Sequence, residues 1–461
     1  MSEPTLAREA APPEARRRKL LAVAGVLGLV AAVAAAAVFV LHKKAPPAAA
    51  PPPAYFDDQL RDAIARVDQL DPGWRFADLE AAREKVPAAE NAAPLVMAVT
   101  VLLPPALTTT DHRLTDRLRA HLRKGSLDDD QRKQYEAARA ALFEGRKLAG
   151  FSRGRHAIKW DVNNPLATPL TVPVPLHLQA TEAVTDLLAL DAEVLAHDDK
   201  PDEALVSIRA ALVAAHTVGD EPLLRSQVTR LGWQNLCAES LEEVLRHGRG
   251  SDEKLLGVQR ALEAEAAAPV MRLAARAERA GLHGLLTAME NGELSREELP
   301  LLGVRGEGAS LVLGRRRETL EAIHAALLDY TTRFVEVADA PPAEQATRAK
   351  ELAAAPLKGP PETLPLLSAL PVRDIVETCQ KAQARLRCAA AAVAAERYRL
   401  ATGRWPDDLA ALVPKYLGAV PADPFDGKPL GYAPGKLDAT VYAAGSVAFR
   451  LSNPESRGKP K

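Results

Sequence analysis

Apolar and polar positions alternate with different periods along the chain, and the change of period marks its segments. From Leu20 to Leu41 the run LLAVAGVLGLVAAVAAAAVFVL contains no charge, proline or amide. At about 1.5 Å of rise per residue, a helix of that length covers roughly the 30 Å of a bilayer core. From Tyr55 onward the apolar residues recur at intervals of three and four instead. Leu60, Ile64, Val67 and Leu70 form the first stripe, and Asp71-Pro72-Gly73 ends it. Trp74, Phe76 and Leu79 open a second helix that stops by Pro87, and a short one starts at Asn91. Pro104-Pro105 interrupts the pattern, and Ser126 with Asp129 reads as the capping box of a helix to about Leu148.

Four further helical stretches follow, over about His177–His197, Asp202–Thr217, Pro222–His247 and Ser251–Glu290, with turns near Lys200, Gly219 and Gly250. The third carries Leu224, Val228 and Leu231 on one face and Trp233, Cys237 and Val244 on the other, so it is expected between two neighbours. A long amphipathic helix starts near Pro371, with Ile375, Cys379, Ala382, Leu386, Val393 and Leu400 as its stripe. Small strands are expected near Gly431–Tyr432 and Thr440–Ala443.

The flanks of the apolar run set its expected orientation. Arg16, Arg17, Arg18 and Lys19 precede it, and only His42, Lys43 and Lys44 follow. The positive-inside bias keeps the short N-terminus in the cytoplasm and sends the rest of the chain across the inner membrane. A cleaved signal peptide is the alternative, but its apolar region runs only about 7–15 residues. The expected organisation is a cytoplasmic tail (1–19), a transmembrane helix (20–41), a Pro/Ala linker (42–54) and a helical region with a long loop at 151–176 (55–176). A helical-repeat-like body (177–340), a linker with a short helix inside (341–370) and an α+β module (371–455) complete it. The fold class is mainly α, with an α-solenoid-like body. Aromatic residues make up only 4% of the chain, and the heavy use of alanine favours closely packed helices over a sandwich or barrel.

A formal net charge of −1 gives no electrostatic reason for a nucleic-acid partner. The three cysteines, Cys237, Cys379 and Cys388, make neither a disulfide framework nor a metal cluster. Cys379 and Cys388 share one helix about 13 Å apart, beyond the ~7 Å Cα separation that a bridge allows. HExxH, GxSxG and CxxC are all lacking. Gly303–Gly314 is glycine-rich but without the GxxxxGK[ST] order of a phosphate cradle. No catalytic residue, cofactor or metal is therefore expected. The one place where cationic, aromatic and polar side chains crowd outside a helix is the loop with Arg153, Arg155, His156, Lys159, Trp160 and Asp161, running on to His177. Arg153, Arg155 and Lys159 could meet an anionic glycan or phosphate. His156, Asp161 and His177 are the nearest approach to a catalytic cluster. The competing reading is an ordinary solvated basic loop.

Two stretches resemble known families. Leu188, Ala192, Leu195, Ala204, Ile208 and Ala211 match the spacing of a tetratricopeptide-type helical hairpin over about 188–216. Asp191 stands there in place of an apolar residue and His216 in place of proline. The end of the chain is similar to the globular tail of the type II secretion major pseudopilin. It shares Glu396-Arg397-Tyr398, Thr402-Gly403-Arg404-Trp405-Pro406, Leu409, Leu412, Tyr416, Pro421, Asp423-Pro424-Phe425, Gly427 and Gly431-Tyr432. That resemblance implies a long helix packed on a small sheet, and a calcium site in the terminal loops. Asp423, Asp426 and Asp438 are available, but valine follows Gly445-Ser446 where an acidic residue belongs, so no calcium is expected. The whole chain also resembles bacterial membrane-anchored helical proteins, a similarity that implies no activity. The expected function is a non-catalytic extracytoplasmic scaffold with a protein partner. The alternatives are an envelope hydrolase or anionic-glycan binder using loop 151–177, and a secretion-system accessory.

Overall fold

The computed structural model describes residues 53–105, 113–158, 175–293, 317–356, 359–360, 370–435 and 438–452. The apolar run 20–41, Lys159, Trp160, Asp161 and the glycine-rich loop 303–314 lie outside them. Among the described residues, no helix is long and apolar enough to cross a membrane.

The protein is mainly helical, with a small antiparallel sheet near its C-terminus. Helices α1 (Pro53–Leu70), α2 (Phe76–Ala81) and α3 (Ala93–Val101) come first. Next are α4 (Arg113–Leu122), α5 (Asp129–Glu136) and α6 (Arg139–Gly145). The body consists of α7 (Leu176–His197), α8 (Pro201–His216), α9 (Leu224–His247), α10 (Asp252–Ala267) and α11 (Val270–Glu290). Then follow α12 (Arg317–Asp339), α13 (Pro342–Ala354) and the long α14 (Val372–Thr402).

Local chemistry accounts for several boundaries, two of them away from the expected positions. The capping box before α5 is made by Asp128 and Gln131 rather than Ser126 and Asp129. The Asp128 carboxylate accepts from the Gln131 amide at 2.9 Å, and the Gln131 side chain accepts from the Asp128 amide at 3.0 Å. The stretch expected as one helix over 251–290 is two. Pro269 disfavours helical geometry at Ala268, whose ψ is 133°, and α11 starts afresh beyond it. Gly403, at φ +78°, closes α14 by donating to the Arg399 carbonyl at 2.8 Å.

Two hydrophobic cores share α9 and α14. The larger gathers α3, α6, α7, α8, α10, the Cys237–Leu245 part of α9 and the Ala384–Ala395 part of α14, with the sheet. The smaller joins Leu231 of α9 to α11, α12, α13 and the Val372–Ala382 part of α14. Helix α9 thus has one face in each core. Helix α13 falls within the proline- and alanine-rich stretch, and it packs against α14 with Ala349 and Leu352 buried. Between Cys388 and Arg397 α14 is buried on every side, because alanine lets α9, α10 and the sheet approach closely. Leu400, expected on its apolar stripe, is 37% exposed instead. Strands β1 (Gly431–Pro434), β2 (Ala439–Ala443) and β3 (Val447–Leu451) form an antiparallel meander in that order. Val441 pairs with Phe449, and alternate residues of β2 and β3 are buried.

Candidate functional site

The described part of the polar loop, residues 151–158, runs between the α2–α3 segment and the start of α7 and end of α8. Its backbone is tied to Asn91. The Asn91 side chain accepts from the Arg155 amide at 2.8 Å and donates to the Arg155 carbonyl at 3.0 Å. The Ala92 amide donates to the Arg153 carbonyl at 3.1 Å. Gly154 sits where a side chain does not fit: a Cβ there would lie 2.7 Å from Thr217 Cγ2 and 3.1 Å from the Ala93 nitrogen.

The charged side chains have local partners. Arg153 donates to Glu84 at 2.9 Å and to Glu90 at 2.5 Å. Arg155 donates to Glu80 at 3.0 Å and to the Glu84 carbonyl at 3.2 Å. These carboxylates belong to or flank α2, so the pair clamps that segment to the loop. Both guanidiniums already hold the oxygens that an anionic ligand would have to replace.

His156 is 4% exposed, and its Nε2 lies 3.1 Å from Thr181 Oγ1 and 3.0 Å from Thr217 Oγ1. Each threonine donates its own proton elsewhere, Thr181 to the His177 carbonyl at 2.8 Å and Thr217 to the Ala214 carbonyl at 2.6 Å. Both hydroxyls can therefore only accept from His156. This assigns the ring proton to Nε2 and makes that nitrogen a shared donor rather than a base. Burial, with His177 and Arg83 nearby, pushes the ring down to about 3, so it is neutral at pH 7.

The His177 ring lies 5.0 Å from that of His156, so the structure brings these two expected residues together. His177 Nε2 donates to Glu221 Oε2 at 2.9 Å, and Ser226 Oγ donates to Glu221 Oε1 at 2.7 Å. Histidine, glutamate and serine are thus present, but not in the order of a nucleophilic triad. The serine proton faces the carboxylate and not an imidazole, and both Glu221 and Ser226 are fully buried. The arrangement can fix the loop and two helix ends; it lacks a nucleophile presented to a substrate.

The neighbouring helical hairpin carries two further buried networks. The Asp191 carboxylate accepts from Arg146 at 2.8 and 2.7 Å, from the Tyr135 hydroxyl and from Ser207. It is completely buried, in a position where the pattern predicts an apolar side chain. Glu265 accepts from Arg230 at 2.7 Å, with His216 and Gln234 beside it. Asp423, one of the three acids available for calcium, is also committed. Its two oxygens accept from the Phe425 amide at 2.8 Å and the Ala444 amide at 2.6 Å.

One group that sequence reasoning missed has the donor types of a metal centre: His197, Glu243 and His247. The signal was present, since Glu243 and His247 are four residues apart and so share one helix face. His197 belongs to another helix, and only the fold adds it. Searches against family models, curated proteins and solved structures find no match to this chain.

Proposed function

We propose that this chain is a non-catalytic scaffold, anchored in the inner membrane by residues 20–41, whose helical body stands outside the cytoplasm and binds a protein partner. The reading is supported above all by the way loop 151–158 uses its polar groups. Arg153, Arg155, His156 and His177 are each occupied by a partner from a neighbouring element. Residues arranged in this way stiffen a junction. An envelope hydrolase or an anionic-glycan binder needs a free base or an unpaired cation, so that alternative is weaker. A role as a secretion-system accessory is a narrower form of the same proposal, and it rests on the C-terminal resemblance alone.

The topology is tested with a cysteine at Gln59, which is exposed. The three native cysteines are buried and free, so the introduced thiol is the reactive one. In cells whose outer barrier is opened, Gln59→Cys should react with a membrane-impermeant reagent. Reaction only after lysis of the inner membrane overturns the anchored orientation. For the scaffold role, affinity-captured full-length protein should carry a partner in stoichiometric amount. Turnover of an envelope glycan or peptide by that protein, abolished by His177→Gln, would replace it with the hydrolase reading.

A further inference from the structure

We propose that His197, Glu243 and His247 form a three-ligand site for a divalent transition-metal ion of the zinc class. Their candidate donor atoms all lie within 4.8 Å of one another, and all three residues are half-buried. Ligands about 2.0–2.2 Å from a tetrahedral zinc ion stand roughly 3.4 Å apart, so small side-chain rotations bring these atoms into position. Two imidazoles and one carboxylate suit zinc, nickel or copper and are a poor set for magnesium or calcium, which take oxygen.

The backbone favours a cation at this point. His197 ends α7 and His247 ends α9, so the negative ends of two helix dipoles meet here. The rings lie 3.9 Å apart, centroid to centroid, at 35°. His247 Nε2 is 2.9 Å from Glu243 Oε1. Arg246 holds the other oxygen of Glu243, the kind of outer contact that orients a metal-binding carboxylate.

The observation that points to a ligand is His197 Nε2. It is a buried polar atom with no hydrogen-bond partner. Leaving such an atom without a partner costs about 1–3 kcal/mol. On binding an ion, His247 would exchange its hydrogen bond to Glu243 for the metal, so that two neutral imidazoles and one carboxylate would face it and a proton would leave the bonded nitrogen. Other charges stand close by. Arg132 pairs with Asp198 at 2.7 Å, and Arg119 with Glu193 at 3.5 Å. Arg246 is near Glu242 at 3.7 Å as well. These three cations are each matched by an acid, and Arg123, near Glu193, adds a positive charge on the same side.

The test uses untagged full-length protein in detergent, stripped with a chelator and titrated with zinc chloride. One zinc should bind per chain, and His197→Gln and His247→Gln should each weaken binding at least tenfold. His121→Gln, at an exposed position on α4, should leave it unchanged. Since a misfolded variant also loses binding, zinc-edge X-ray absorption of the unmodified protein gives a second reading, and two imidazole ligands are expected. Absence of stoichiometric binding overturns the site. So does binding that survives both substitutions in folded protein, or a zinc spectrum with fewer than two imidazoles.

Discussion

The junction where α7 and α8 meet loop 151–158 and the central part of α14 both have buried interiors, yet they are held by different means. At the junction the interior is polar. Asp191 is bound by Arg146, Tyr135 and Ser207, Glu265 by Arg230, and His156 by two threonines. In α14 the run Cys388–Ala395 is apolar throughout, and small residues set the distance to its neighbours. The first kind of interior depends on complete satisfaction of each polar group, because a half-satisfied group costs more than an apolar one. The second depends on shape and volume. A helix between two layers can be built either way, but the two interiors should fail differently.

The largest single effect is expected in the dry region. Trp405 is 7% exposed in the larger core, and Arg399 lies 5.2 Å from its ring centroid. Trp405→Ala removes a large buried volume that its neighbours cannot refill, and should cost about 3–5 kcal/mol. Denaturant unfolding of the full-length protein measures this. A loss below about 1 kcal/mol would show that the tail contributes little to the common core.

In the polar region, Asp191→Ala should cost about 3 kcal/mol, since it strands Arg146, Tyr135 and Ser207 together. The informative comparison is Asp191→Leu with Arg146→Met. Replacing both partners by apolar groups should restore much of the loss, which cannot happen for a cavity in the α14 core. If the double variant is as unstable as the sum of the single ones, the two interiors do not differ in the way described.

These networks also explain what the sequence could and could not reveal. Helix positions in the body follow from apolar spacing, and Leu188, Ala192, Leu195, Ala204, Ile208 and Ala211 are all buried. Strands are expected near β1 and β2, and the fold adds β3, whose Val447–Leu451 pairs with β2. Polar partnerships are not periodic. Nothing in the local pattern joins Asp191 to Arg146, or His156 to Thr217, because each pair meets only after helices pack. The same holds for His197, which a helix end brings to the Glu243–His247 pair. Arg153, Arg155, His156 and His177 could be singled out as an unusual cluster, but their shared role as a clamp needed the positions of Glu80, Glu84, Glu90 and Glu221.

A pH series separates the regions further. His156 has a folded-state pKa of about 3, against about 6.5 when unfolded. Its neutral form is the one that fits, so its contribution is present above pH 6.5 and is lost as pH falls toward 3. Between pH 7 and 4.5 this amounts to about 2–3 kcal/mol. His156→Gln should make that part of the stability curve shallower, His283, likewise pushed down to about 3 by burial, keeping the remaining slope, while Trp405→Ala should shift the curve down without changing its shape. A smaller loss, about 1–2 kcal/mol, is expected for Gly154→Ala, where the new Cβ meets Thr217 at 2.7 Å and must push the loop off α8. Melting temperature of the variant against the unmodified protein measures it.

The smallest expected effect concerns calcium. The loops around the sheet offer Asp423, Asp426 and Asp438, and a calcium ion needs six to eight oxygens. Asp423 is 4% exposed, and both of its oxygens already accept backbone amides, from Phe425 and Ala444. Asp426 accepts from the Lys428 amide at 3.0 Å, with the Lys428 ammonium 3.5 Å from its other oxygen. An ion could bind only by taking these oxygens from donors that hold the turn together, and Val447 brings no further carboxylate. The donors take the place that a cation has elsewhere: they satisfy the oxygens of the buried acid and fix the chain beside α14, where Arg387 also donates to the Ala422 carbonyl at 2.7 Å. The melting temperature of the full-length protein should therefore be the same in millimolar calcium and in chelator, to within about 1 °C. Asp423→Asn should cost about 1–2 kcal/mol with or without calcium, because its single oxygen can serve only one of the two backbone donors and its NH2 group faces the other. A rise of several degrees with calcium, abolished by Asp423→Asn, would mean that the loop rearranges to release these oxygens, and that the tail is held by an ion rather than by its own amides.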